Sequence, residues 1–198
     1  MLLFIGGAAR TGKSILSRRL LTEIQFPFLS LDVLKMGLTR GAPEFTIDPD
    51  AGGIQVAERI WPLVREMSAS LLHDGINYIF EGEILPQHVA ALRDAAPSQI
   101  RACFLGYPTI SPDKKLQEIR THSGHPNDWP QEYNDSDLLT VVQREIIFSQ
   151  YLQKECLQHR LRFFDTSHQF LPTLDAAAAY AQQSISSTAG LPSWRGAV

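Results

Sequence analysis

Short, almost wholly apolar runs alternate along the chain with longer segments whose apolar residues recur every three or four positions. The runs Leu2–Ile5, Phe28–Leu31, Tyr78–Phe80, Ala102–Leu105 and Arg162–Phe164 predict five strands. With helical segments between them, they form the pattern of a parallel sheet wrapped by helices. From Ile54 to His73 the residues Ile54, Ala57, Ile60, Val64, Met67 and Leu71 fall on one helical face, and Gly75 supplies a stop. A second long helix is predicted over Ser136–His159, with Val142, Ile146, Ser149, Leu152 and Cys156 on its stripe. Ser136 and Asp137 are its candidate caps.

Two stretches interrupt the alternation. Residues 40–53, RGAPEFTIDPDAGG, read as a surface loop rich in Pro, Gly and acid. Residues 121–135, THSGHPNDWPQEYND, hold two prolines and no apolar period, the composition of a lid or binding loop. The tail 186–198 lacks any period and reads as a frayed end. The expectation is one domain over 1–185 with a short lid at 121–135.

Composition narrows the function classes. At 198 residues, 44% hydrophobic and 20% charged, the chain is ordinary globular material. The 18 basic and 21 acidic residues leave a net charge of −3, which speaks against a nucleic-acid partner. Cys103 and Cys156 cannot build a disulfide framework, and they read as packed small hydrophobes. The apolar start MLLFI is too short for a signal peptide or a membrane span. The expected setting is the cytoplasm, away from membranes.

Chemistry enters at GGAARTGKS, residues 6–14, where Gly7, Gly12, Lys13 and Ser14 complete the P-loop pattern. Such a turn lets backbone N–H groups converge on phosphate oxygens at the positive end of the following helix. Lys13 is placed to reach the β- and γ-phosphates, and the Ser14 hydroxyl to meet Mg²⁺. The expected nucleotide contacts are Gly7, Ala8, Ala9, Arg10, Thr11, Gly12, Lys13, Ser14 and Ile15. The apolar strand before the motif and the helical segment after it are the context the motif requires. No Asn-Lys-x-Asp for guanine is present, and Asp50-Ala-Gly-Gly53 is a bare Asp-x-x-Gly in a Pro-Gly loop. A signalling GTPase is thereby disfavoured, and the chain is short for a remodelling ATPase.

Taken with LSLDVLKMGL at 29–38, the acidic-glycine loop before Trp61 and YIFEG at 78–82, the layout resembles small-molecule kinases of the chloramphenicol phosphotransferase type, within the nucleoside/nucleotide-kinase branch of P-loop phosphotransferases. The resemblance implies a three-layer α/β/α fold with sheet order 2-3-1-4-5, ATP with Mg²⁺ as donor, and a small-molecule hydroxyl acceptor over the strand ends. It also implies that Asp32 is the base and that the loop at Asp165, Thr166 and Ser167 lies against adenine; from the residues alone, that loop equally suits capping the next helix.

From the residues themselves, Asp32 at the end of the second strand faces the ligand crevice, or caps the helix Val33–Leu38. Glu81 at the end of the third strand is a candidate for Mg²⁺ through water, or for substrate; Glu83 is a second substrate candidate. Phosphoryl transfer spreads charge over the γ-oxygens, and arginines neutralise it. Arg120 and Arg144, flanking the loop 121–135, are the candidates for that role. His122 and His125 read as solvated loop histidines, Trp61 as core, and Trp129 as a possible pocket wall. The leading expectation is an ATP-dependent kinase that moves the γ-phosphate to a hydroxyl or phosphate of a small-molecule acceptor; a different class also fits the motif, a nucleotide-switched ATP- or GTP-binding regulatory protein with slow hydrolysis.

Overall fold

Five strands, β1 (Leu2–Gly7), β2 (Phe28–Ser30), β3 (Tyr78–Gly82), β4 (Ile100–Gly106) and β5 (Arg162–Asp165), lie parallel in the order β2-β3-β1-β4-β5 in the computed structural model. The structure describes residues 1–122 and 129–186. The helices are α1 (Lys13–Ile24), α2 (Leu31–Gly41), α3 (Gly53–His73), α4 (Pro86–Ala95), α5 (Pro112–Thr121), α6 (Asp135–Gln158) and α7 (Phe170–Ser186). Single 3-10 turns stand at Pro43–Phe45 and Trp129–Glu132.

The sheet is buried on both faces, as a parallel sheet must be. Leu2, Phe4, Phe80, Ala102 and Phe104 face a core closed by α3, α4 and α6. Leu3, Ile5, Ile79, Cys103 and Leu105 face a second core closed by α1 and α7. The α3 stripe packs through Val56, Ala57, Ile60 and Val64. At its end Gly75 turns to φ 67°, and the Gly75 and Ile76 N–H groups bond back to Leu72 and Leu71 at 3.2 and 2.9 Å. Cys103 and Cys156 are free, buried thiols; burial pushes Cys103 up to about 12.

Several expected boundaries move. β1, β3, β4 and β5 run past their apolar residues, because parallel pairing continues through Gly6↔Gly82, Gly7↔Leu105 and Gly106↔Asp165. β2 is shorter, because Leu31 already opens α2. Asp32 therefore neither closes the strand nor caps the helix; it stands in the first helical turn, and Ser30 is the N-cap residue. For α6 the cap is Asn134, not Ser136 or Asp137: its Oδ1 accepts the Asp137 N–H at 2.9 Å. The expected loop at 40–53 is partly ordered by the end of α2 and the turn Pro43–Phe45.

Of the expected lid, 123–128 with His125 lie outside the described residues, as do 187–198 of the tail. Among the described residues, no helix is long and apolar enough to cross a membrane.

Candidate active site

The carboxyl end of β1 is built from glycine because the sheet leaves no room for a side chain. A Cβ on Gly7 would lie 2.3 Å from the Leu105 carbonyl oxygen. The chain leaves the strand there, passes through Ala8–Thr11, and enters α1 at Gly12, whose φ of 91° suits glycine. No side chain caps α1, so its first N–H groups are left to a ligand or solvent. Within the loop, the Ala8 carbonyl accepts both the Lys13 ammonium at 2.7 Å and the Thr11 hydroxyl at 2.9 Å. Lys13 is only 6% exposed, folded back onto the loop it serves. Arg10 holds φ 60°, and the Ile15 side chain is half exposed on the outer surface of α1.

Register carries the acid to this loop. Glu81 pairs with Ile5 of β1 on one side and with Ser30 of β2 on the other. Its Oε1 accepts the Ser14 hydroxyl at 3.3 Å. Its Oε2 is buried and has no hydrogen-bond partner among the described residues, and the Ser30 hydroxyl favours the charged form. Burial raises the Glu81 carboxyl above its ordinary value; Lys13 acts against this and Asp32 with it.

Magnesium fits this pair. The metal is commonly held by one or two protein oxygens with water and phosphate completing the shell. A hydroxyl and a carboxylate oxygen without a partner among the described residues supply that set.

Beyond Gly82 the strand ends, and Glu83 meets Lys35 of α2. Lys35 bridges Asp32 at 3.2 Å and Glu83 at 3.3 Å. Burial alone would lower the Lys35 ammonium; Glu83 and Asp32 overcome it and raise it. Burial likewise raises Glu83. Asp32 keeps 57% of its side chain exposed, so one acid of the trio remains open to an incoming molecule.

The two arginines are placed differently. Arg144 stands on α6, 3.6 Å from Glu145 and 3.3 Å from the Asp50 carbonyl, with half its side chain exposed. Arg120 binds the carbonyls of Pro130 and Tyr133 at 2.7 and 2.6 Å and the Asp135 carboxylate at 2.8 Å. It anchors the segment leading into α6. The turn after β5 is tied internally: Asp165 accepts the Ser167 N–H at 2.8 Å, Thr166 donates to Gly106 at 3.0 Å, and Ser167 accepts the Thr109 N–H at 3.2 Å. Thr166 and Ser167 are buried.

Away from this centre, Trp61 stacks on His88 at 4.6 Å and Trp129 meets Tyr133 edge-on at 5.5 Å. His122 bonds the Glu118 carbonyl at 2.9 Å.

Three neighbours of the loop escaped the sequence reading. Glu145 accepts the Ala9 N–H at 2.7 Å, the Tyr107 hydroxyl donates to the Ala9 carbonyl at 2.9 Å, and Lys35 ties Asp32 to Glu83. Glu145 had a signal: a carboxylate three residues past Val142 and four before Ser149 falls on the apolar stripe. Lys35 is the i+3 partner of Asp32, whereas nothing in the sequence singles out Tyr107.

The sheet order and the glycine loop at the end of its central strand define the fold of P-loop kinases. No family model and no curated protein matches the chain. Among solved structures it is similar to a gluconokinase from Sinorhizobium meliloti 1021, at 15% identity and TM-score 0.54, covering 94% of this chain and 95% of that one. It is similar also to shikimate kinase from Bacteroides thetaiotaomicron, at 15% identity and TM-score 0.53, covering 94% and 98%. At such identities the likeness is one of fold.

Proposed function

We propose that this protein is a kinase that moves the γ-phosphoryl group of ATP to a hydroxyl of a small-molecule acceptor. The observation that carries the reading is the meeting of the Ser14 hydroxyl with the buried, half-unpartnered Glu81 carboxylate beside Lys13, on a sheet whose next strand delivers Asp32. A charge held in so dry a place without full partners is costly to the fold, which favours a ligand that completes it.

In this reading Lys13 exchanges the Ala8 carbonyl for phosphate oxygens, and Ser14 and Glu81 hold magnesium. Bound there, magnesium would supply positive charge against the phosphates. Asp32, fixed by Lys35, accepts the proton of the acceptor hydroxyl. The acceptor oxygen bonds to the γ-phosphorus as the bond from phosphorus to the β,γ-bridging oxygen breaks, and ADP leaves with that electron pair. Arg144, 3.6 Å from the Glu145 carboxylate that accepts the Ala9 N–H, takes up charge on the transferring group.

The test has two arms. Lys13→Ala abolishes the thermal stabilisation that ATP with Mg²⁺ gives the native protein; an undiminished rise overturns the nucleotide site. A panel of hydroxylated metabolites and antibiotics, the latter suggested by the likeness in LSLDVLKMGL and YIFEG, is screened for acceptor-stimulated ADP release with mass analysis of the product. Slow hydrolysis indifferent to every compound is the signature of the nucleotide-switch alternative.

A further inference from the structure

We propose that Glu145 of α6 is a positioning residue for the glycine-rich loop, holding the peptide before Ala9 while Tyr107 holds the peptide after it. The inference rests on the nucleotide site proposed above and concerns how that site is held in shape.

Ala9 is bound at both of its backbone polar groups. Its N–H donates to Glu145 Oε2 at 2.7 Å, a length typical of a charge-assisted bond, and its carbonyl accepts the Tyr107 hydroxyl at 2.9 Å. The two side chains are themselves braced: the Tyr107 N–H donates to Ser149 Oγ at 3.1 Å, and Ser149 Oγ donates to the Glu145 carbonyl at 2.8 Å. A closed ring of contacts therefore joins the loop, β4 and α6. Glu145 is 2% exposed and Tyr107 1%, while Ala9 between them is partly open to solvent.

What needs holding is the next residue. Arg10 sits at φ 60°, in the left-handed region that a side chain disfavours. The peptide joining Ala9 to Arg10 is the one whose oxygen Tyr107 fixes, and the peptide before it is fixed by Glu145. Packing alone gives no reason for a carboxylate at this place on α6, where Val142, Ile146, Ser149 and Leu152 line the core. Arg144 at 3.6 Å is half exposed and is a weak counter-ion. Burial first and Glu145 second raise the Tyr107 phenol well above its ordinary value, with Arg10 acting against them, so the hydroxyl stays a donor. Lys115 lies over the Tyr107 ring at 4.3 Å, and the Glu83 carboxyl is near enough to Glu145 to be raised by its charge.

The Ala9 N–H is directed to Glu145, so the loop's phosphate-facing N–H groups are those from Arg10 onward. Glu145 remains in place when nucleotide binds.

The experiment measures two quantities on the full chain: amide exchange at Ala9 by NMR without nucleotide, and the dissociation constant of ADP with Mg²⁺ by calorimetry. In Glu145→Leu the Ala9 amide loses about 100-fold or more of its protection, and nucleotide binding weakens about tenfold, as expected for a buried donor left unpaired. Glu145→Gln, whose amide oxygen still accepts, restores both to within about threefold.

Unchanged nucleotide affinity in Glu145→Leu, tighter binding in it, or failure of Gln to rescue overturns the proposal. Should Glu145→Leu fail to fold, Tyr107→Phe and Glu145→Gln, singly and combined, decide the matter. Their effects on Ala9 protection are non-additive if both hold the backbone of one residue through its two flanking peptides, and strict additivity overturns the proposal. Wild-type protein that binds no nucleotide sinks the kinase reading, whereas Ala9 protection still reports on the grip.

Discussion

Glu81→Gln offers the sharpest test of the site, because fold and ligand make opposite demands on that side chain. The carboxyl is 1% exposed, one oxygen lacks a partner, and burial outweighs the pull of Lys13 in raising its pKa. A carboxyl whose folded pKa stands above its ordinary 4.5 binds its proton more tightly in the folded chain. Its contribution to stability is then fully present below pH 4.5 and is lost as pH rises through the folded value. As pH rises through the folded value, ionisation weighs against folding, and glutamine, with the same shape and no charge, lifts that penalty. An unpartnered buried polar atom costs about 1–3 kcal/mol, and the amide keeps one atom unpaired, so the lower end applies. A gain of about 1 kcal/mol raises the melting temperature of a chain this size by about 2–4 °C.

Nucleotide reverses the balance. ATP with Mg²⁺ at about one hundred times its dissociation constant stabilises wild type by about 2.7 kcal/mol. A tenfold loss of affinity removes about 1.4 kcal/mol, roughly half of that rise. Scanning calorimetry at pH 7, with ATP plus either Mg²⁺ or EDTA, reads both effects in one protein. The reasoning is refuted if ligand-free Glu81→Gln melts below wild type, or if its magnesium-dependent rise is undiminished. A companion scan from pH 4.5 upward shows wild type losing stability relative to the variant.

Two further changes separate chemistry from architecture. Asp32→Asn removes a half-exposed acid while leaving Lys35 its second partner, Glu83. Its melting temperature and nucleotide affinity stay close to wild type while phosphoryl transfer falls by about 10²–10⁴, measured as ADP release with a responsive acceptor. Retained turnover shows that Asp32 takes no proton. Gly7→Ala places a methyl group 2.3 Å from a backbone oxygen of β4, where no flexible side chain can yield. Urea unfolding registers a loss of about 1–3 kcal/mol, and an unchanged midpoint shows that the strand end is looser than drawn.

The sequence made legible what local signals encode. The P-loop spacing, five strand positions and the α3 stripe depend on residues a few places apart, and each finds its element. Boundaries moved where pairing with a neighbouring strand outweighed local composition, as at Gly6, Gly7 and Gly82. Asp32 slipped from strand end to helical turn because Leu31, apolar enough for either state, was claimed by α2.

The site's supports were hidden for a different reason. Glu145 lies 136 residues from Ala9 and Tyr107 lies 98, and no period or motif links them. Their relation exists only once β1 and β4 pair and α6 packs across the sheet. Such contacts follow from topology, and topology is what a spacing pattern specifies least. The same holds for Arg120 and Arg144, which look equivalent beside one loop. Folding assigns one to anchoring residues 130–135 and leaves the other beside the acid that grips Ala9. A motif can therefore name the loop that takes phosphate, while the residues that keep it in shape have to be read from the packed sheet.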